Sequence, residues 1–255
     1  MDRKRFLPTP PQDIPLSTAL FLDVDGTLLE IAERPEAVKL APSLTKVLTT
    51  LNDHYRGALA FISGRTINNI DEIFSPLRLP VAGQHGLERR NAFGDRKTSD
   101  IGNALHGLHE PLRAFANKNR GILIEDKGAA LALHFRLAPE LHEKAQNLVQ
   151  RLTSDNEALH YYAGKMVFEI KPRDVDKGNA IAAFMNEQPF LNKTPIFLGD
   201  DVTDEDGFRF VNQKGGMSIL VGDEKETEAR YRLSDVNSVH QWLRAITKNY
   251  GKPGR

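Results

Sequence analysis

Two short apolar runs in this 255-residue chain stop abruptly at aspartates. Thr18-Ala19-Leu20-Phe21-Leu22 runs into Asp23-Val24-Asp25-Gly26-Thr27, and Pro195-Ile196-Phe197-Leu198 runs into Gly199-Asp200-Asp201. Apolar runs of this length, without polar alternation, read as strands buried on both faces, as in a parallel sheet. The residues after the first run keep the same rhythm. Leu44, Val47, Leu48 and Leu51 give helical spacing over 40–54, with Pro42 near the start. Ala58 to Ile62 is a second buried strand, stopped by Ser63-Gly64; Ile67, Ile70, Ile73 and Phe74 mark a second helix, and 79–82 a third strand. Strand, helix, strand, helix, strand implies a parallel sheet covered by helices.

The pattern changes near Gly83. A helix is expected over 100–118, then two strands, 122–125 and 129–135, around a Lys127-Gly128 turn. A helix over 139–153 and a second hairpin, 160–163 with 166–170 around Gly164-Lys165, complete an α+β unit. The α/β rhythm then returns with a helix over 178–187, the strand 195–198, a helix from about Asp204, a strand 217–221 and a last helix 239–247. The chain therefore reads as an α/β, Rossmann-like parallel-sheet core in two parts, residues 1–83 and 173–255, with an inserted α+β domain at 84–172. Residues 1–16, rich in proline, read as a flexible lead-in.

Composition closes off several classes of function. The 34 basic and 34 acidic residues cancel, so neither a nucleic-acid groove nor an attraction to anionic membrane is expected. There is no cysteine, which excludes disulfides and thiolate metal sites and fits the cytoplasm. Arg3, Lys4 and Arg5 precede a run broken by Pro8, Pro10, Pro11 and Pro15, so no signal-peptide core forms. No stretch approaches the roughly 20 apolar residues of a membrane span.

The acids that end the two strands share one structural position. In a doubly wound sheet, ligands bind beyond the carboxyl ends of the strands, so Asp23 and Asp25 can converge with Asp200 and Asp201 on one hard cation. Mg²⁺ prefers oxygen ligands and keeps some of its waters. A carboxylate there can also attack phosphorus, which splits one displacement into two easier ones. Asp25 could supply the proton the leaving oxygen needs, since a crowd of acids raises the pKa of at least one member. Gly26 would allow a tight turn, and Thr27 could cap it. The alternative is a pair of ordinary strand-end turns, with Asp204 a helix cap. Ser63-Gly64-Arg65-Thr66 follows the second strand and opens a helix, where a hydroxyl and free N–H groups suit a phosphoryl oxygen; a Ser63 N-cap is the structural alternative. Lys177 opens another helix against its dipole, and a fixed cation beside a transferring phosphoryl group stabilises its transition state.

These four pieces, in this order, resemble the haloacid dehalogenase-like phosphotransferase superfamily. The resemblance implies Asp23 as nucleophile and Asp25 as acid–base. It implies Asp23, the backbone carbonyl of Asp25, and Asp200 as Mg²⁺ ligands. Ser63 and Lys177 would hold the phosphate, Lys177 also neutralising Asp23, with Asp201 and Asp204 in support. An insert between the second and third motifs matches the larger, C2B-like cap. Ile62-Ser63-Gly64-Arg65, Gly83-Gln84-His85-Gly86-Leu87-Glu88, Glu169-Ile170-Lys171-Pro172-Arg173, Lys177-Gly178-Asn179-Ala180-Ile181 and Gly199-Asp200-Asp201-Val202-Thr203-Asp204-Glu205 are, more narrowly, similar to the trehalose-6-phosphate phosphatase family in its enterobacterial form. That resemblance implies trehalose 6-phosphate as the substrate; a monomer is expected, although the sequence itself does not give the oligomeric state. The resemblance adds Gly64 and His85 as substrate-binding residues, His85 having a structural role as its alternative, Arg65 near the phosphate or the domain junction, and Glu125, Lys127 and Glu169 on the glucose ring distant from the phosphate.

Other readings stay open on the residues alone. One is a phosphatase or phosphomutase for another sugar phosphate; another is a non-catalytic sugar-phosphate sensor, which would have no need of Asp25. A receiver domain also uses clustered aspartates, a hydroxyl and a lysine, but is about half this length.

Overall fold

The computed structural model describes residues 6–30, 42–98, 105, 107–126, 130–154, 156–164, 166–173 and 175–248. They divide into two compact units, one of residues 1–96 with 176–255 and one of residues 97–175.

The first unit is built on an eight-stranded sheet of order β12-β11-β10-β1-β2-β3-β4-β5. Its strands are β1 (Thr18–Leu22), β2 (Leu59–Ile62), β3 (Val81–Gly83), β4 (Glu88–Arg90), β5 (Arg96–Thr98), β10 (Thr194–Gly199), β11 (Met217–Val221) and β12 (Tyr231–Leu233). From β12 to β3 every pairing is parallel. The helices are α1 (Pro42–His54), α2 (Ile67–Phe74), α5 (Lys177–Met185), α6 (Glu205–Gln213) and α7 (Val236–Lys248). β1 and β2 are buried at every position, as strands covered by helices on both faces must be. Aromatic side chains fill the layers. Phe21 of β1 stacks on Phe190 at 5.4 Å and leans on Phe184 of α5 at 6.1 Å, while Phe61 of β2 meets Phe74 of α2 at 4.4 Å.

Three local expectations need correction. The chain does not leave the sheet at Gly83: β3 pairs antiparallel with β4, and β5 follows at the edge, so the break between units falls after Arg96 rather than at residue 84. Glu88-Arg89-Arg90 carries none of the apolar signal of a strand, because its partners are polar. Arg90 donates to Asp71 Oδ2 of α2 at 2.7 Å and to the Leu79 carbonyl at 2.9 Å. β12 was likewise unexpected from its polar composition. The lead-in is not loose over its described part. Pro8 and Pro11 offer carbonyls that accept from Arg232 N at 3.0 Å and Trp242 Nε1 at 2.8 Å.

The second unit carries a four-stranded antiparallel sheet of order β6-β7-β9-β8. Its elements are β6 (Leu123–Asp126), α3 (His109–Lys118), β7 (Leu131–His134), α4 (His142–Ser154), β8 (Leu159–Gly164) and β9 (Val167–Pro172). Along β9, Phe168, Ile170 and Pro172 are buried while the residues between them are not. One face is thus packed, with Phe168 against Phe135 at 5.1 Å and His142 at 5.4 Å. The Lys127-Gly128 turn lies outside the described residues, as do Lys165 and residues 100–104 and 106 of the helix expected over 100–118.

Candidate active site at the switch point of the parallel sheet

In the first unit β2 and β3 extend the sheet to one side of β1, and β10, β11 and β12 extend it to the other. The strand order therefore reverses between β1 and β10, the place where an open α/β sheet leaves a crevice at its carboxyl end. Leu22 is level with Leu198, and Asp23 N donates to the Leu198 carbonyl at 3.0 Å. The two acidic segments consequently leave the sheet side by side.

Asp23, Asp200 and Asp204 each bring a carboxylate oxygen within 4.8 Å of the others. Asp23 is 4% exposed, Asp204 0% and Lys177 3%. Lys177 Nζ donates to Asp23 Oδ1 at 2.7 Å and to Asp204 Oδ1 at 2.6 Å. Its position is fixed by the start of α5, where Asp176 caps the helix by accepting from Asn179 N at 2.7 Å. Asp204 was expected only as a support. Its second oxygen accepts from Asp200 N at 3.0 Å and Asp201 N at 2.9 Å, so it fixes the loop that carries Asp200. Both of its oxygens are thereby engaged, whereas Lys177 takes only Oδ1 of Asp23. Asp201 turns outward and accepts from Val202 N as the cap of a short 3-10 turn.

Two glycines let these groups approach. Gly26 has φ +78°, and a Cβ there would fall 2.0 Å from Asp200 Oδ2; one at Gly199 would fall 2.2 Å from Asp204 Cγ. The turn after β1 is closed by Leu28 N and Leu29 N, both donating to the Val24 carbonyl at 2.9 Å. Thr27 does not cap it: its Oγ1 is buried and has no hydrogen-bond partner among the described residues.

The charge balance is uneven. Three clustered carboxylates face one ammonium. Burial pushes the Asp23 carboxyl well above the usual range, Lys177 opposes that, and the negative charges of Asp204 and Asp200 add to it. Burial and then Asp204 push Asp200 up to about 6. Burial works against the Lys177 ammonium, yet Asp23 and Asp204 together hold its pKa above the ordinary lysine value. Lys177 is the charged partner of this set, because two carboxylates touch it. An all-oxygen cluster with surplus negative charge suits a hard divalent cation.

Beside this cluster stands the loop after β2. Ser63, 1% exposed, accepts from Arg65 N at 3.1 Å through Oγ and keeps its own O–H to donate. It is not the cap of α2; that is Thr66, which accepts from Asn69 N at 3.2 Å. His85 N donates to the Ser63 carbonyl at 2.9 Å, and its ring lies against Gly64, where an added Cβ would stand 3.0 Å from Nε2. Arg65 reaches Asp25, donating from Nε to Oδ2 and from NH2 to Oδ1, each at 2.6 Å.

Glu125 and Glu169 belong to the second unit. Ala132 of β7 is level with Glu125 of β6 on one side and with Glu169 of β9 on the other, so both acids lie in one cross-strand row on the face opposite Phe168. Glu125 Oε2 is 2.9 Å from His134 Nε2. Lys127 lies outside the described residues.

Sequence reasoning passed over three contacts. Asn69 accepts from Arg65 NH1 at 2.6 Å, and its i, i+4 spacing from Arg65 was the available signal. His134 stands two residues beyond Ala132, on the same face of the sheet as Glu125. Lys225 donates to the carbonyl of Asp200, and nothing in the local sequence announces it.

Comparison with known proteins identifies the family. The trehalose-phosphatase family model matches residues 21–237. The chain is 43% identical to the trehalose-6-phosphate phosphatase of Escherichia coli strain K12 over 230 residues, 90% of this chain and 86% of that one. The trehalose-6-phosphate phosphatase structure from Aspergillus fumigatus superposes with a TM-score of 0.78 at 26% identity, covering 96% of this chain and all of the other. A haloacid dehalogenase-like hydrolase from Bacteroides thetaiotaomicron, 15% identical with a TM-score of 0.59 over 91% of this chain and 98% of its own, shares the fold. With a family model spanning its two acidic strand ends, its Ser63 loop and Lys177, the chain belongs to the trehalose-phosphatase family.

Proposed function

We propose that this chain hydrolyses trehalose 6-phosphate to trehalose and inorganic phosphate through an aspartyl-phosphate on Asp23, completing trehalose synthesis. The observation that carries the reading is the buried Asp23 carboxylate at the end of β1, tied to Lys177 and set against Asp200 across the switch point. Lys177 on Oδ1 fixes the orientation of the carboxylate. An Asp23 oxygen attacks phosphorus, the bond from phosphorus to the sugar 6-oxygen breaks, and Asp25 gives that oxygen a proton. Ser63 and Lys177 hold the phosphoryl oxygens as charge redistributes, with Gly64, Arg65 and His85 lining the phosphate side. Water then attacks the phosphoryl group, losing its proton to Asp25, and Asp23 is regenerated. Mg²⁺, held by Asp23, the Asp25 carbonyl and Asp200, supplies positive charge beside the phosphoryl oxygens when bound. Glu125, Lys127 and Glu169 bind the glucose ring distant from the phosphate, carboxylates accepting from its hydroxyls.

Among the described residues no helix is long and apolar enough to cross a membrane. A chain without cysteine suits a reducing compartment, and we place the reaction in the cytoplasm. The test is phosphate release from trehalose 6-phosphate compared with sucrose, glucose and mannose phosphates, with Mg²⁺ and after chelation. Release is expected from trehalose 6-phosphate above the others, abolished by chelation and restored by Mg²⁺. Preference for another sugar, or a rearranged sugar phosphate as product, would refute it.

A further inference from the structure

The two acids assigned to the distant glucose ring are not held equally. Glu169 stands on β9, which is bonded to β7 on one side and β8 on the other. Glu125 stands on β6, at the edge of the four-stranded sheet, and its side chain is 52% exposed. An edge strand is fixed by a ladder on one side only, and an exposed glutamate moves among many rotamers. The strand beside it is better anchored, because β7 is bonded to both β6 and β9. β7 carries His134, level with Leu123 of β6, which makes His134 the diagonal neighbour of Glu125. Diagonal neighbours stand about 7–8 Å apart, within reach of long side chains. The imidazole uses that reach, with Nε2 2.9 Å from Glu125 Oε2. A carboxylate only accepts, so the hydrogen of this bond is on Nε2. The bond takes one oxygen of Glu125 and leaves Oε1 for a ligand hydroxyl.

We propose that His134 is a positioning residue for sugar recognition: its Nε2–H holds the Glu125 carboxylate in one orientation, so that Oε1 is ready to accept from a hydroxyl of the distant glucose ring. The inference rests on the sugar-binding role given above to Glu125. A side chain that must be immobilised on binding costs affinity, and a bond made before the sugar arrives removes part of that cost. The contact lies at the ring away from phosphorus, so it is the same before and during the chemical step. Such uniform binding appears in KM and leaves kcat alone. A substrate without the sugar makes no use of it.

The test compares the wild-type enzyme with His134→Asn and His134→Gln. The glutamine amide overlies Nε2 and can still donate to Glu125, whereas the asparagine amide stops short, at the place of Nδ1. In His134→Asn, KM for trehalose 6-phosphate is expected to rise about fivefold with kcat within about twofold. Its kcat/KM on p-nitrophenyl phosphate and its melting temperature should match the wild type. His134→Gln should bring KM for trehalose 6-phosphate back to within about twofold of the wild type. Added to Glu125→Ala, His134→Asn should raise KM no further, because its effect passes through the carboxylate already removed. The proposal is overturned by an unchanged KM in His134→Asn, by a loss shared equally by p-nitrophenyl phosphate, by a His134→Gln as weak as His134→Asn, or by effects that multiply in the double variant. A wild-type enzyme inert toward trehalose 6-phosphate would sink the functional reading and this proposal with it. An active wild type with an unaltered His134→Asn would sink this proposal alone.

Discussion

The two units of this protein hold their acids in opposite ways. In the parallel-sheet unit, Asp23 and Asp204 are buried and answer to Lys177, while Asp200 is tied by its backbone N–H to Asp204 Oδ2 and lies against Gly26. In the unit of residues 97–175, Glu125 is exposed and Glu169 half-buried, in one row on the face of an antiparallel sheet opposite Phe168. A buried charge needs partners to be tolerated at all, so its position is over-determined and its replacement disturbs fold and chemistry together. Acids that keep contact with solvent cost the fold far less. Their replacement should be felt only by a ligand.

Lys177→Met should break the first arrangement and give the largest effect. Two buried carboxylates would face each other without their ammonium, at a cost of about 3–5 kcal/mol. Thermal melting should show that loss, and phosphate release should fall by roughly three orders of magnitude or more. A fully active, equally stable variant would mean that the buried cluster is not what organises the site. Glu169→Gln and Glu125→Gln probe the other arrangement. Each should raise KM for trehalose 6-phosphate by about tenfold, leave p-nitrophenyl phosphate hydrolysis unchanged, and leave the melting temperature alone. A drop in melting temperature instead would move these acids from ligand contact to structure.

The same contrast explains what could be read from the sequence. β1, β2 and β10 were legible because strands buried on both faces must be apolar throughout, and the aspartates that stop them fall at the ligand-binding end of the sheet. Lys177, a cation set against a helix dipole, gave only a weak signal on its own, because its burial between Asp23 and Asp204 is a tertiary feature. Asp204 was undervalued, because its reach from the end of a 3-10 turn back to Lys177 is a tertiary contact with no local signal. Thr27 was misread as a cap because the turn closes on backbone carbonyls. β4 was missed because Arg90 satisfies itself on Asp71 and a carbonyl, so the strand needs no apolar pattern. Glu125 and Glu169 carry no signal of their own: a hairpin acid looks the same whether it binds sugar or water.

The smallest effect comes from a charge cluster of the parallel-sheet unit that does no chemistry. Burial pushes Asp71 up, but the hydrogen bond and charge of Arg90, helped by Arg78 and Arg96, more than offset it and hold the carboxyl below its usual range. A depressed folded-state pKa gives stability that is present above the unfolded value of about 3.9 and lost as pH falls through the folded one. Asp71→Asn should therefore melt a few degrees lower at neutral pH with unchanged kcat. The difference should close as the solution is acidified; a gap that persists in acid would mean that packing, not charge, links β4 to α2.

The account stands most directly on the attacking role of Asp23. Wild-type enzyme quenched in acid during turnover of trehalose 6-phosphate, then digested and weighed by mass spectrometry, should carry a phosphoryl group on the peptide containing Asp23. Asp23→Asn, folded by circular dichroism, should carry none and release no phosphate. Near-normal turnover in Asp23→Asn, or a phosphoryl group trapped on a different residue, would contradict it.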